Sequence, residues 1–305
     1  MAKYTINEFR KSYATDEACL DKIFTLRYGK LEACPECQCV ASFRRITTRR
    51  CYQCTECYAQ FYPTAGTVFE KTRTPLSDWF YVIYLFTSTR NGVSAKEIQR
   101  QLGVTYKCAF RMGHCIRNLI QGVGIEALKG IVEADESVIG GKLSNKHVKD
   151  KTFVENGKRY KKPKDYNKTI VFGAVERGGR VKTKVIPNVY AETLKEAIKE
   201  SVEDGSIIFT DELQGYKGIT DSYFHGYIAH SKGEYSVGQI HTNTIEGFWA
   251  QLKRTIGGTH ISVSPKYLQN YANECAFRYN NRKAPANMFD VIIKNLPVVT
   301  EHPNI

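Results

Sequence analysis

Apolar residues recur at two different periods along the chain, and the change of period divides it. From Pro75 to about Gln121 the spacing is helical. Residues 77–89 (SDWFYVIYLFTST) predict a mostly apolar helix, and residues 93–120 predict two more, split at Gly103. Ser94 with Glu97 makes a capping-box start, and Thr105 caps the helix that follows. Ile98, Leu102, Val104, Ala109, Met112 and Ile116 supply the inward face. That leaves Lys107, Arg111 and Arg117 outside on the second helix of a helix-turn-helix-like pair. From residue 130 the period falls to two. In GIVEADES (130–137) Glu133 and Asp135 share one strand face, with Val132 and Ala134 on the other. Residues 168–177 and 180–187 predict strands joined by a hairpin at Gly178-Gly179. Residues 191–204 read as a helix, and SIIFT (206–210) as a short buried strand that delivers Asp211. A further strand near 223–229 precedes a helix carrying Glu246, and another helix runs from Pro265 to Arg282.

Three strands, a helix, a strand and then a carboxylate-bearing helix is the order of an α/β, ribonuclease-H-like domain, a mixed sheet with flanking helices. A chain of 305 residues has room for two or three domains. A net charge of +13 suits a polyanionic partner, because neutralising phosphates releases counterions. The polar N-terminus lacks a signal-peptide core, and the longest apolar stretch, WFYVIYLF at 79–86, is too short to span a bilayer.

Ten cysteines are enough for a secreted, disulfide-bonded protein, but six of them crowd into positions 34–57. CPEC at 34–37 and CTEC at 54–57 stand sixteen residues apart. Two such knuckles offer four thiolates, Cys34, Cys37, Cys54 and Cys57, which close a tetrahedral structural Zn²⁺ site in a reducing compartment. Cys39 and Cys51 are left over and read as plain thiols. The stretch between the knuckles has the β-branched and aromatic content of a hairpin, with four arginines on or near it. The chain accordingly divides into an N-terminal helical lead (1–28), a zinc ribbon (29–70), a helix-turn-helix-like segment (71–125), the α/β domain (126–290) and a C-terminal tail (291–305).

Asp135 and Asp211 each follow an apolar strand, and Glu246 lies seven residues before Lys253, two helical turns on one face. Two strand-end carboxylates and one on a helix can hold a pair of hard cations about 3.5–4 Å apart, the arrangement of two-metal phosphoryl transfer. Each carboxylate also has a plainer reading. Asp211 with Gln214, and Asn243 with Glu246, have capping-box spacing, and Asp135 can serve a turn before Gly140-Gly141. Lys253 can place a phosphate as a point charge. Residues 142–168 carry ten Lys or Arg against three acids and read as a long basic loop, either a phosphate contact or a solvated insertion.

Four stretches carry a family resemblance: CPEC…CTECYAQFYPTAGTVFEKTRTPLSDWF, VEADESVIGGK, FTDELQGY and HTNTIEGFWAQLKR. Over about residues 15–285 the chain resembles bacterial insertion-sequence transposases of the DDE type, those with an N-terminal zinc ribbon and an ISXO-like domain. The resemblance implies that Asp135, Asp211 and Glu246 hold two Mg²⁺ ions, which Mn²⁺ can replace. Asn243, one turn before Glu246, matches relatives that use Asn; Glu246 is preferred here because carboxylate is the stronger ligand and Lys253 is in register with it. The ribbon and Lys107, Arg111, Arg117 and Arg254 would contact DNA. The implied activity is cleavage of the element's 3′ ends and strand transfer to target DNA, by a homo-oligomer, in the bacterial cytoplasm at the nucleoid. A DNA-binding regulator with a silent site and a nuclease without joining are the competing readings.

Overall fold

The computed structural model describes residues 4–40, 42–121, 126–141, 152–155, 158–161, 168–216, 218, 222–228, 241–285 and 288–296. The chain forms two compact units, Met1–Val123 with Lys283–Ile305, and Gly124–Arg282. Most of the basic stretch 142–168, and the tail from 297 onward, lie outside the described residues.

In the first unit, Thr5 and Glu8 complete a capping box on α1 (Ile6–Ser12), and Thr15 caps α2 (Asp16–Tyr28). The cysteine segment folds as an antiparallel sheet of β1 (Phe43–Ile46), β2 (Cys51–Cys54) and β3 (Gln60–Phe61). So small a sheet has little core of its own. Phe24 of α2 covers it, with ring centroids 4.2 Å from Tyr52 and 5.6 Å from Phe43. Arg50 donates to Asp16 and to the carbonyls of Thr72 and Thr74, while Asp16 accepts from the Ser77 amide and hydroxyl. These bonds tie the ribbon to α2 and to the start of α3 (Leu76–Ser88), a helix buried along much of its length.

The helix-turn-helix pair is α4 (Ala95–Leu102) and α5 (Tyr106–Gln121), joined through Gly103 at φ 68°, where a side chain would be strained. Ser94 caps the Glu97 amide as expected, but the Glu97 carboxylate turns to Gln101 and Arg100 instead of completing the box. Thr105 caps the amide of Cys108. One expected DNA contact is corrected here. Arg117 is only 3% exposed, its guanidinium lying 5.1 Å from the centre of the Phe86 ring. Gly113, one turn earlier, leaves the hollow: a Cβ there would stand 3.1 Å from the Arg117 Nη1. Lys107 is exposed, and Arg111 is half-buried with its guanidinium 5.8 Å from the Trp79 ring centre.

The second unit is built on β4 (Ile131–Ile139), β7 (Thr169–Glu176), β8 (Val181–Ile186), β9 (Ile207–Thr210) and β10 (Phe224–Tyr227). Their spatial order is β10-β9-β4-β7-β8; β4 is antiparallel to β7 and parallel to β9, and β9 is parallel to β10. Counted within the five-stranded sheet this is the order 3-2-1-4-5 read from the other edge, with the first three strands antiparallel, which is the ribonuclease-H-like sheet. Within the basic stretch, where a loop was expected, β5 (Thr152–Glu155) and β6 (Lys158–Lys161) pair as a small hairpin.

Alternation along β4 and β7 sends side chains to two cores. Val132, Ala134, Phe172, Ala174 and Ile208 pack with α6 (Ala191–Ser201). Val171, Val175 and Val181 pack with α7 (Asn243–Arg254) and α8 (Leu268–Asn280). The α6 helix stops before 204 because Val202 bridges to Leu128. The α7 helix continues into a π-turn over Thr255–His260.

At the chain's end α9 (Met288–Lys294) packs on α3 and α5, burying Met288, Phe289, Ile292 and Ile293. Its apolar face therefore places residues 288–294 in the first unit, where the sequence suggested the end of the α/β domain and a separate tail.

Candidate metal centres

The four knuckle cysteines converge: their sulfur atoms all lie within 4.8 Å of one another, with Cys34–Cys57 at 3.8 Å and Cys37–Cys54 at 3.9 Å. A tetrahedron with metal–sulfur bonds of about 2.3 Å has edges of about 3.8 Å, so the set fits Zn²⁺ without rearrangement. Backbone amides of Cys57 and Glu56 pull the Cys54 thiol down to about 7, while burial and the neighbouring sulfurs push Cys57 up to about 12: without a cation the crowded thiols share their protons unequally. Cys39 is exposed and Cys51 buried, and neither joins the cluster.

The second centre lies where β9 ends. The parallel register pairs Glu133 with Phe209, and continuing it two residues sets Asp135 beside Asp211. Carboxylate oxygens of Asp135, Glu136 and Asp211 lie within 4.8 Å of one another. Burial pushes the Asp135 carboxyl up to about 7, helped by the charges of Glu136 and Asp211. Glu136 is raised as well, first by burial and then by Asp211, against a hydrogen bond from Tyr216. Three crowded oxygen donors, with Asp135 and Glu136 reluctant to lose their protons, fit a hard divalent cation, which would relieve the repulsion.

Neighbouring side chains hold these groups. The Trp249 indole of α7 donates to Asp135 Oδ2 at 2.9 Å, and the Tyr216 hydroxyl donates to Glu136 Oε2 at 2.7 Å. Asp211 Oδ1 accepts from the Leu213 amide at 3.0 Å, so its turn-forming role and a ligand role coexist. Asp135 pairs across the sheet with Gly173, and a Cβ on Gly173 would come within 2.6 Å of the Trp249 ring. The indole reaches Asp135 only because position 173 has no side chain. Gly173→Ala is expected to displace the indole and cost about 1–3 kcal/mol of stability, as overpacking does, read by urea unfolding with Trp fluorescence.

The sequence points to Glu246 as the third acid, and the structure brings Glu136 to the two aspartates. Alternation sends Glu136 to the face opposite Asp135. Pairing of β4 with β9 stops at Glu133, however, so beyond it both faces open onto the end of β9 where Asp211 stands. Glu246 is exposed on the first turn of α7, one turn before Trp249, and its Oε1 accepts from the Thr242 hydroxyl at 3.1 Å. Asn243 precedes it, also exposed, and Lys253 and Arg254 are exposed on the last turn. Nothing in the spacing marked Tyr216 or Trp249 as partners of the acids. The Gly173 exception in an otherwise apolar strand was the one available hint of a close approach.

Residues 127–280 match the model of the ISXO2-like transposase domain, and residues 14–60 match that of the transposase zinc-ribbon domain. An uncharacterised protein in transposable element ISH50 of Halobacterium salinarum is 24% identical over 272 residues, covering 86% of this chain and 90% of its own. An uncharacterised transposase-like protein of Haemophilus influenzae is 29% identical over 102 residues, 33% of this chain and 82% of its own. Among solved structures, the Mos1 Strand Transfer Complex aligns over 71% of this chain and 78% of its own at 12% identity, with a TM-score of 0.26, too distant to carry weight. The domain match spans half the chain and contains both strand aspartates and the whole of α7: the chain belongs to the ISXO2-like transposase family.

Proposed function

We propose that this chain is a DNA transposase that binds the terminal inverted repeats of an insertion sequence, cuts its 3′ ends with Mg²⁺ and joins them to target DNA. The observation that carries this reading is the half-buried Asp135, midway along β4, held against Glu136 and against Asp211 just past the end of the parallel β9. Bound there, two divalent cations, Mg²⁺ or Mn²⁺, supply Lewis-acid stabilisation to the attacking and leaving oxygens of an in-line displacement.

The protein's own part is placement. Asp135 and Asp211 are the proposed principal ligands, with Trp249 fixing the rotamer of Asp135. Glu246 is the proposed third ligand from α7, with Asn243 beside it and Glu136 as a further oxygen donor. Lys253 and Arg254, exposed at the helix end, are placed to meet phosphates. In the first unit Lys107 and Arg111, with the exposed Arg44 and Arg49 of the zinc-bound hairpin, are the proposed contacts to the repeats. Synapsis of two element ends calls for a homo-oligomer, and the substrate places the protein with the nucleoid in the cytoplasm.

The test uses an end-labelled duplex carrying the flanking terminal repeat. Wild type is expected to nick the 3′ end with Mg²⁺ or Mn²⁺ and not with EDTA, and Asp211→Asn is expected to lose nicking by about a thousandfold while still binding the duplex. Repeat binding by a zinc-loaded sample with no metal-dependent nick would replace this reading with a DNA-binding regulator.

A further inference from the structure

We infer that Glu133 is a positioning residue for the acidic site: its carboxylate grips the first turn of α7 and thereby sets where Asn243 and Glu246 stand relative to Asp135. The inference rests on the functional reading above, and its test is separable from it. Glu133 is fully buried, two residues from Asp135 on the same face of β4. Its Oε2 accepts the backbone amides of Thr244 at 2.8 Å and Ile245 at 3.1 Å. Its Oε1 accepts the Thr244 hydroxyl at 2.9 Å and Arg177 Nε at 2.7 Å, and the His241 Nδ1 stands 3.2 Å away. Arg177 is fixed in turn, donating from Nη2 to the His241 carbonyl at 3.0 Å and lying 4.8 Å over the Phe209 ring.

Thr242, at the N-cap of α7, makes no side-chain cap bond. The cap comes from the neighbouring strand, and a negative charge there also suits the helix dipole. Apolar packing alone would hold α7 on the sheet, and a buried ion pair is no better than that for stability. The carboxylate adds direction. Two consecutive amides bound to one fixed oxygen allow α7 a single rotation and a single height on β4. Slipping α7 by one residue would shift its side chains by about 1.5 Å and turn them by about 100°. Asn243 and Glu246 flank the two gripped amides, so they inherit the setting directly. Trp249, bonded to Asp135, is the second point of attachment.

The test is a double-mutant cycle read by Mn²⁺ binding, from the free-ion electron paramagnetic resonance signal. Glu133→Gln places an amide N–H₂ among donors, and Thr244→Val removes one hydroxyl and little else. Each is measured in the full chain, alone and on an Asn243→Ala/Glu246→Gln background. Alone, Glu133→Gln is expected to weaken Mn²⁺ about tenfold and Thr244→Val about threefold, the usual effect of losing an outer partner. On the background both losses are expected to shrink below about twofold, because the groups being positioned are gone. Equal losses with and without the background, no loss in either, or a background that binds Mn²⁺ like wild type would each overturn the inference. If Glu133→Gln does not fold, Thr244→Val decides alone. Failure of the wild type to bind Mn²⁺ would overturn both this inference and the functional reading. Mn²⁺ binding without DNA cleavage would remove only the latter, leaving the cycle to be read.

Discussion

Asp135→Asn is expected to abolish metal-dependent DNA cleavage, by about a thousandfold or more, and at the same time to make the metal-free protein harder to unfold. The two effects share one cause. In the metal-free fold the Asp135 carboxyl is raised from an ordinary 3.8 to about 7, chiefly by burial and then by Glu136 and Asp211. A raised carboxyl costs the fold stability once it ionises. That stability is intact below the ordinary carboxylate value and is lost as pH rises through about 7. Asn cannot ionise, and its oxygen can still accept from Trp249. At pH 8 the variant is therefore expected to gain ~2 kcal/mol in the metal-free state, a Tm about 5 °C higher, with the gain vanishing near pH 4. Mg²⁺ should raise the Tm of wild type and leave that of the variant unchanged. Calorimetry at pH 4 and pH 8, with and without Mg²⁺, reads all three. A variant less stable than wild type at pH 8 would mean that Asp135 serves the fold and not a cation.

The second large effect is expected at the ribbon. Its sheet is three short strands, and the Phe24, Tyr28, Phe43, Tyr52 and Phe61 rings stand in for a core. In such modules metal affinity is largely folding free energy, about 10 kcal/mol or more for a four-thiolate Zn²⁺ site. One Zn²⁺ per chain is expected on mercuric-reagent titration, and none in Cys34→Ser. Removing it should unfold β1–β3 and weaken binding to the terminal repeat by about tenfold or more, since Arg44 and Arg49 lose their frame. Cys39→Ser, at an exposed position outside the cluster, is the matched control and should keep both. Full repeat binding by the Cys34→Ser chain would remove the ribbon from the DNA interface.

The parts of the fold that the sequence discloses are those set by local periodicity. Alternation in GIVEADES located β4 and its two faces, and Gly178 at φ 72° carries the β7–β8 hairpin where Gly-Gly predicted it. The fold class was legible because the succession of strands and helices along the chain is that of a ribonuclease-H-like domain. What stayed hidden depends on register and on neighbours distant in sequence. Glu136 joins the acids only because β9 ends short of it, a matter of where two strands stop pairing. Arg117 looked outward by its place on the helical wheel, yet the missing side chain of Gly113 lets it fold back onto Phe86. A Gly four residues before an Arg on a packed helix is a signal that could have been read. The role of Glu133 was not readable at all, since its partners Thr244 and Ile245 lie more than a hundred residues away, at separations of 111 and 112.

The most direct test of the account is strand transfer itself. Purified zinc-loaded protein, a pre-cut labelled terminal-repeat duplex with a free 3′-hydroxyl, a supercoiled plasmid and Mg²⁺ would be combined, with Glu246→Gln, Glu136→Gln and Asn243→Ala run alongside. The account predicts joined product from wild type, none from Glu246→Gln, and reduced but measurable product from Glu136→Gln and Asn243→Ala. Nicked duplex with no joined product from the wild type would contradict it and leave a metal-dependent nuclease in its place.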